Sequence, residues 1–266
     1  MAKTVGVRME FFLKLYKDLP KQGPGSDRIT EKALSYIPEI AKIRRILDAG
    51  CGSGRQTLVL AKNTDADIIA LDVLDQQIEA FRNNINRYQL NRRVTIHRKS
   101  MDDLSFIEEP FDLIWSEGAV YCIGFEKGLR HFHQYLNENG YVAVTEISWF
   151  TDNPDQEIKN FWQNQYPDIK TVKENISIIE SCGYELIHNF HVPSITWWTD
   201  YYEILTERIN HYKRRSNLNE LAIQTLKETE LEIDMFHKYS NQYGYEFFIM
   251  RKVGSCHLVE ARGTDN

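Results

Sequence analysis

Leu47 to Leu58 reads LDAGCGSGRQTL. A short apolar run, Arg45–Ala49, enters a turn holding Gly50, Gly52 and Gly54, and a helix-like stretch, Arg55–Lys62, leaves it. Glycine adopts positive φ without steric cost and lets backbone approach a ligand closely. A glycine turn between strand and helix lies at the carboxyl edge of an open α/β sheet, where such folds bind ligands. The surrounding chain repeats this alternation. Strands are expected at Asp67–Leu71, Val94–His97, Phe111–Trp115 and Tyr141–Glu146, with helices at Asp75–Gln89 and Glu126–Leu136. Continuous apolar strands alternating with helices predict a parallel sheet covered on both faces.

The ends of the chain read differently. Residues 8–19 place Phe11, Phe12, Leu15 and Leu19 on one helical face, followed by the breaker loop QGPGS (Gln22–Ser26) and a helix over Thr30–Ile37. In the last third, helices are expected at Asp155–Asn164 and Thr171–Cys182, and strands at Tyr184–Val192 and Tyr245–Val253. The stretch Pro193–Tyr243 between those strands reads as mostly helical, and residues 254–266 as a frayed tail.

The turn has the spacing G-x-G-x-G after Asp48. A dinucleotide fingerprint has G-x-G-x-x-G, so the spacing favours a sulfonium nucleoside over a nicotinamide or flavin. An ordinary tight turn is the competing reading. Asp72, eighteen positions after Gly54, ends the next strand. A carboxylate there can accept hydrogen bonds from both hydroxyls of a ribose, although an Asp ending a strand is often only a turn residue.

Asp48–Gly54, Asp72, SMDDLSF (Ser100–Phe106) and FDLIWSEG (Phe111–Gly118) follow one another as in class I S-adenosylmethionine-dependent methyltransferases, which the chain resembles over residues 43–150. The resemblance implies S-adenosylmethionine as cofactor. The glycine loop would cradle its methionine part, Asp72 would hold the ribose, and Ser100–Asp102 would meet the adenine. Many members carry Asp where Ser100 stands, so Asp102 or the Ser100 hydroxyl takes its place, with Met101 against the ring. The expected cofactor set is Asp48, Gly50, Gly52, Gly54, Gln56, Asp72, Ser100, Met101, Asp102 and Ser116. The QGPGS loop, WSEGAVY (Trp115–Tyr121), GFEKGL (Gly124–Leu129) and a WW…YY cluster also resemble a bacterial UbiE-like subgroup of small-molecule methyltransferases.

These readings predict one α/β domain over residues 1–253. A Rossmann-like, seven-stranded, mostly parallel sheet with an antiparallel last strand would carry an N-terminal helical lid (1–40), the cofactor-binding core (43–150) and a helical substrate cover (193–243). Glu117, just past the Phe111–Trp115 strand, is the leading catalytic candidate, expected to face the acceptor or take its proton; orientation of a loop or of the cofactor's amino group is the alternative. Tyr121 is the second candidate, with packing as its alternative. His131 and His133, two apart on a helix, point to different faces and make no metal pair. Glu146 ends a strand at the same sheet edge. Trp197, Trp198, Tyr201 and Tyr202 pair at i,i+4, as core or as a substrate wall that with a carboxylate would favour a cationic amine.

Composition narrows the function class. The formal net charge is −6 and no long basic run occurs, which argues against nucleic acid as a partner. No apolar stretch approaches a membrane span, no leader pattern is evident, and Cys51, Cys122, Cys182 and Cys256 make no C-x-x-C pair. A cytoplasmic enzyme without a metal is expected. It would methylate a small molecule, and a homodimer is compatible with the sequence. The alternatives are a non-catalytic S-adenosylmethionine-binding or regulatory protein and a nicotinamide oxidoreductase.

Overall fold

The computed structural model describes residues 10–17, 19, 21, 23–215 and 217–254. The start of the expected 8–19 helix, Gln22, Cys256 and the tail beyond Gly254 lie outside them.

Residues 10–16 are helical (α1). Then come α2 (Asp27–Ser35), β1 (Arg45–Ala49), α3 (Arg55–Asn63), β2 (Asp67–Asp72), α4 (Asp75–Arg87), β3 (Val94–Arg98), β4 (Phe111–Ser116), α5 (Phe125–His133) and β5 (Leu136–Trp149). The chain continues through α6 (Gln156–Gln165), β6 (Lys170–Thr171), α7 (Val172–Ser181) and β7 (Tyr184–His191). A short turn of helix, Ile195–Trp197, and a π-helical stretch, Trp198–Tyr202, lead into α8 (Glu203–Lys213), followed by α9 (Glu220–Tyr239) and β8 (Tyr243–Lys252).

The strand order is β3-β2-β1-β4-β5-β8-β7, with the two-residue β6 pairing beside β5. β8 runs antiparallel to both its neighbours, β5 and β7, and the remaining pairings are parallel. The mostly parallel sheet with an antiparallel last strand is therefore as expected. From β1 the chain winds outward to β3 and then returns to β4 on the other side of β1. That reversal leaves a crevice between the carboxyl ends of β1 and β4.

The sheet buries both faces, which is why its strands read as unbroken apolar runs. Ile46, Ile68, Leu113 and Phe247 face one core with Leu60 of α3 and Phe81 of α4. Leu47, Ile114, Val142 and Phe248 face the other with Leu129 of α5 and Ile179 of α7. Local chemistry sets the helix ends. α7 begins at a capping box, Thr171 accepting from Glu174 N while the Glu174 carboxylate accepts from Thr171 N at 2.8 Å. α9 begins where the Asn219 side chain accepts from Ala222 N at 2.8 Å.

Two boundaries and one helical repeat differ most from expectation. α2 starts at Asp27, not Thr30, because the Ser26 carbonyl already accepts from Ile29 N and Thr30 N, at 3.0 and 3.1 Å. β5 runs well beyond Tyr141–Glu146 because β8 pairs with it from Tyr141↔Arg251 to Trp149↔Tyr243. The aromatic cluster of the insertion does not keep a regular α repeat. Through the π-helical stretch Trp197 meets Tyr202, five residues on, with ring centroids 5.8 Å apart, while Trp198–Tyr202 keeps its i,i+4 contact at 5.5 Å.

Candidate active site

Every segment singled out in residues 47–121 converges on the crevice between β1 and β4. The glycine loop is tied to the end of β2: Gly50 N and Cys51 N donate to Leu71 O at 2.9 and 2.8 Å, and Gly52 N donates to Asp72 Oδ2 at 2.9 Å. Gly50, Gly52 and Gly54 all have positive φ, +82°, +53° and +84°. At two of them packing forbids a side chain. A Cβ on Gly50 would lie 2.3 Å from Ala119 Cβ, and one on Gly54 would lie 2.0 Å from the Phe81 ring. Gly54 thus lets α3 start directly against α4.

A cavity of about 420 Å³ opens above this loop. Gly50, Gly52, Gln56, Asp72, Ser100, Met101 and Asp102 line it, so one wall brings together most of the expected cofactor set. Asp72 uses Oδ2 on Gly52 N and Oδ1 on Leu74 N, both at 2.9 Å. A carboxylate has about four acceptor sites, so about two stay available to a pair of hydroxyls. Val73, Leu74 and Met101 supply apolar surface beside it, and Gln77 is a further wall residue that the sequence did not single out. These acceptors and apolar surfaces fit an adenosyl group.

Three expected contacts stand behind the wall instead. Asp48 is fully buried and accepts from Thr57 Oγ1 and, at 3.3 Å, from Gln56 Nε2. Burial pushes its carboxyl up to about 7, against the pull of the Thr57 and Gln56 hydrogen bonds. Its place is to brace the loop from below. Gly54 is closed off by Phe81, and Ser116 spends its hydroxyl on Ala49 O at 2.8 Å, joining the ends of β1 and β4.

Glu117 takes the surroundings of its alternative reading. Its side chain lines this first cavity and not the adjoining one. It is buried in an ion pair with Lys21, and Oε1 also accepts from Thr30 Oγ1 at 2.7 Å and Trp115 Nε1 at 2.8 Å. Four parts of the chain meet there, because a Cβ on Gly25 would lie 3.1 Å from Lys21 Nζ and 3.6 Å from Glu117 Oε2. A carboxylate held by three donors is an anchor for the N-terminal segment rather than an open proton acceptor. Sequence reasoning had no signal for Lys21, 96 positions away.

A second cavity of about 310 Å³ adjoins the first. Phe12, Tyr16, Gly23, Pro24, Gly118 and Tyr121 line both. Its far walls come from α6, the π-helical stretch, α9 and β8, including Trp162, Trp197, Tyr201, Glu232 and Tyr245. Tyr121 keeps 40% of its surface open to these spaces, and its ring meets Tyr166 with centroids 6.1 Å apart. Burial pushes the Tyr121 phenol well above its ordinary range, so it stays protonated and serves as a donor and an aromatic surface. The N-terminal helix and the insertion are joined over these cavities. Arg208 of α8 donates to Leu15 O at 2.8 Å and also to Lys17 O, and Phe11 packs on Tyr212 at 5.0 Å.

The other residues weighed from sequence fall elsewhere. His133 donates from Nε2 to Gly254 O at 2.7 Å, a contact that His131 does not share. Glu146 is buried on β5 with Oε2 unpartnered among the described residues, and burial raises its carboxyl to about 8 despite the Tyr166 hydrogen bond.

A family model described as a methyltransferase domain matches residues 40–208. The chain belongs to that family. The expected enzyme class and its S-adenosylmethionine cofactor are borne out for this methyltransferase domain. A sterol 24-C-methyltransferase of Aspergillus fumigatus is 25% identical over 167 residues, 60% of this chain and 44% of that one. The chain spans less than half the length of the first curated relatives it matches. A S-adenosylmethionine-dependent methyltransferase of Geobacter sulfurreducens, solved with S-adenosylhomocysteine, superposes with a TM-score of 0.77 at 15% identity, covering 91% of this chain and 97% of that one. The [4+2]-cyclase SpnF has the same fold, with a TM-score of 0.69 at 20% identity over 87% of this chain and 84% of its own. Likeness to a cyclase makes the cavities, not the fold, the place to argue function.

Proposed function

We propose that this chain transfers the methyl group of S-adenosylmethionine to a small-molecule acceptor. The observation that carries the reading is the pair of adjoining cavities at the carboxyl edge of the sheet, meeting at Gly118 and Tyr121. The cofactor, when bound, supplies a methyl carbon already activated on a sulfonium sulfur. The protein's task is then to align acceptor and methyl and to keep water out.

Asp72 holds the two ribose hydroxyls. Gly50, Gly52 and Gln56 border the methionine part, and Ser100, Met101 and Asp102 meet the base. Asp48, Gly54 and Ser116 keep the loop and the two strand ends in place. Glu117, through Lys21 and Thr30, clamps the N-terminal segment as a lid across both cavities, and so acts as a positioning residue. Tyr121 stands at the junction and touches the acceptor. The described residues of segments 1–40 and 193–243 together form the cover over the core 43–150.

The WSEGAVY and GFEKGL stretches, which include the junction, support placing the chain with bacterial UbiE-like small-molecule methyltransferases. Among the described residues, Cys51 and Cys122 form no disulfide, in accord with a reducing cytoplasm.

The test is calorimetry with S-adenosylhomocysteine, followed by release of that product from S-adenosylmethionine in the presence of fractionated metabolites. Saturable binding and acceptor-dependent release are expected. Binding without release in any fraction would favour the non-catalytic reading, and absence of binding would overturn both.

A further inference from the structure

The cavity beyond Tyr121 has a composition that selects for charge. Three ring pairs form its walls: Tyr16–Tyr201 and Tyr121–Tyr166, each 6.1 Å between centroids, and Trp197–Tyr245 at 5.1 Å. Burial, first of all causes, raises the phenols of Tyr16, Tyr121, Tyr201 and Tyr245, so these walls stay neutral and present π faces. Two carboxylates, Glu228 and Glu232 of α9, complete the lining, and no lysine, arginine or histidine is among the described residues that form it.

Glu232 is the group that gives the cavity its sign. It is enclosed by protein, and burial raises its carboxyl, so its charged form is the one that a cation in the cavity stabilises. It keeps part of its surface open where it lines the cavity. Tyr202 donates to its Oε1 at 2.9 Å, and among the described residues no cationic side chain forms an ion pair with it. The titratable groups around it are acids: Tyr16, Tyr201, Tyr202, Tyr243 and the neighbouring Glu228. A buried carboxylate without a counter-charge is costly. A cation held against ring faces gains from both the charge and the rings, and more so when desolvated. An anionic acceptor would meet the Glu232 carboxylate and, among the described residues that line the cavity, no base.

We propose that the acceptor is a cationic amine, its ammonium seated between Glu232 and the aromatic walls of this cavity. The inference rests on the reading of the cavity as the acceptor site, and it names the class of molecule that site takes.

The test uses three probes of one shape and different charge: choline, its neutral isostere 3,3-dimethylbutanol, and 3,3-dimethylbutyrate. Each is titrated into protein saturated with S-adenosylhomocysteine. Choline is expected to bind at least about tenfold more tightly than the neutral probe, a difference of about 1.4 kcal/mol, with the anion weakest. Glu232→Gln, which keeps an acceptor for Tyr202, should erase that preference. Tyr202→Phe, which removes the hydrogen bond but keeps the carboxylate, should preserve it. Equal binding of choline and the neutral probe, a preference that survives Glu232→Gln, or no choline binding at tens of millimolar would overturn the proposal. Because S-adenosylhomocysteine is bound in every titration, those failures leave the methyltransferase reading standing. Failure of S-adenosylhomocysteine itself to bind would strike that reading instead.

Discussion

The two cavities share a wall but are built by different kinds of sequence. The cofactor side is made by short turns at the ends of adjacent strands, with Gly50–Gly54, Asp72 and Ser100–Asp102 each within a few residues of a strand end. The acceptor side is made by side chains brought from α1, α6, the π-helical stretch, α9 and β8, elements far apart in the chain. One side is specified by local backbone geometry, the other by tertiary packing of aromatics. Variants on the first side should therefore act through backbone conformation and hydrogen bonds. Variants on the second should act through shape and charge.

The largest expected effect is at Gly54. Valine there would collide with the Phe81 ring and force a β-branched residue to positive φ. Overpacking and left-handed strain together cost about 3–5 kcal/mol, so Gly54→Val should be insoluble or strongly destabilised in urea unfolding. Gly52→Val should instead keep much of the fold and lose S-adenosylhomocysteine binding, since Gly52 lines the cavity and its N–H holds Asp72. Identical behaviour of the two variants would erase the distinction between packing glycines and ligand-facing ones.

Glu117→Gln comes next. It leaves Lys21 buried without a counter-charge, and breaking a buried pair costs about 3–5 kcal/mol when a partner is removed outright; the amide, still able to accept from Thr30 and Trp115, should cost about 2–3 kcal/mol. The loss should be seen first as faster hydrogen exchange in residues 10–17 and 23–35, the segments the pair secures. Unchanged exchange there, in a folded variant, would free Glu117 for the acceptor-facing role.

Glu146 supplies a pH signature. Its carboxyl is raised from 4.5 to about 8 in the folded protein, chiefly by burial. Between those values the folded state binds a proton that the unfolded state has released. Its contribution to stability is therefore greatest below about pH 4.5 and falls as pH rises to about 8. Glu146→Gln should flatten that decline by on the order of a few kcal/mol, measured as urea midpoints at pH 5 and pH 8. Parallel pH profiles for the two proteins would mean that the carboxylate stays ionised, balanced by Lys170.

Much of the cofactor side was legible in the sequence, because a glycine at positive φ and an acid at a strand end leave local marks. Even there, contact could not be told from support. Asp48, Gly54 and Ser116 belong to the same motifs as Gly52 and Asp72, yet Thr57, Phe81 and the Ala49 carbonyl take up their chemistry. The mostly parallel sheet followed from strand–helix alternation, whereas the full length of β5 depended on its pairing with β8. The acceptor side was legible only as a cluster of aromatics. Glu232 sits within a helix that shows nothing unusual in its spacing, and Lys21 follows a proline just before the segment read as a breaker. Long-range partners such as Lys21–Glu117 and Tyr202–Glu232 have no local trace.

The central claim is that Asp72 organises a ribose site at the end of β2, and calorimetry of S-adenosylhomocysteine with the Asp72→Ala variant tests it most directly. Removing a charged acceptor from two hydroxyls should cost about 1.5–3 kcal/mol, roughly ten- to a hundredfold in affinity. Circular dichroism on the same sample should match the parent protein. A folded variant that binds S-adenosylhomocysteine with undiminished affinity would contradict the assignment and move the cofactor away from this cavity.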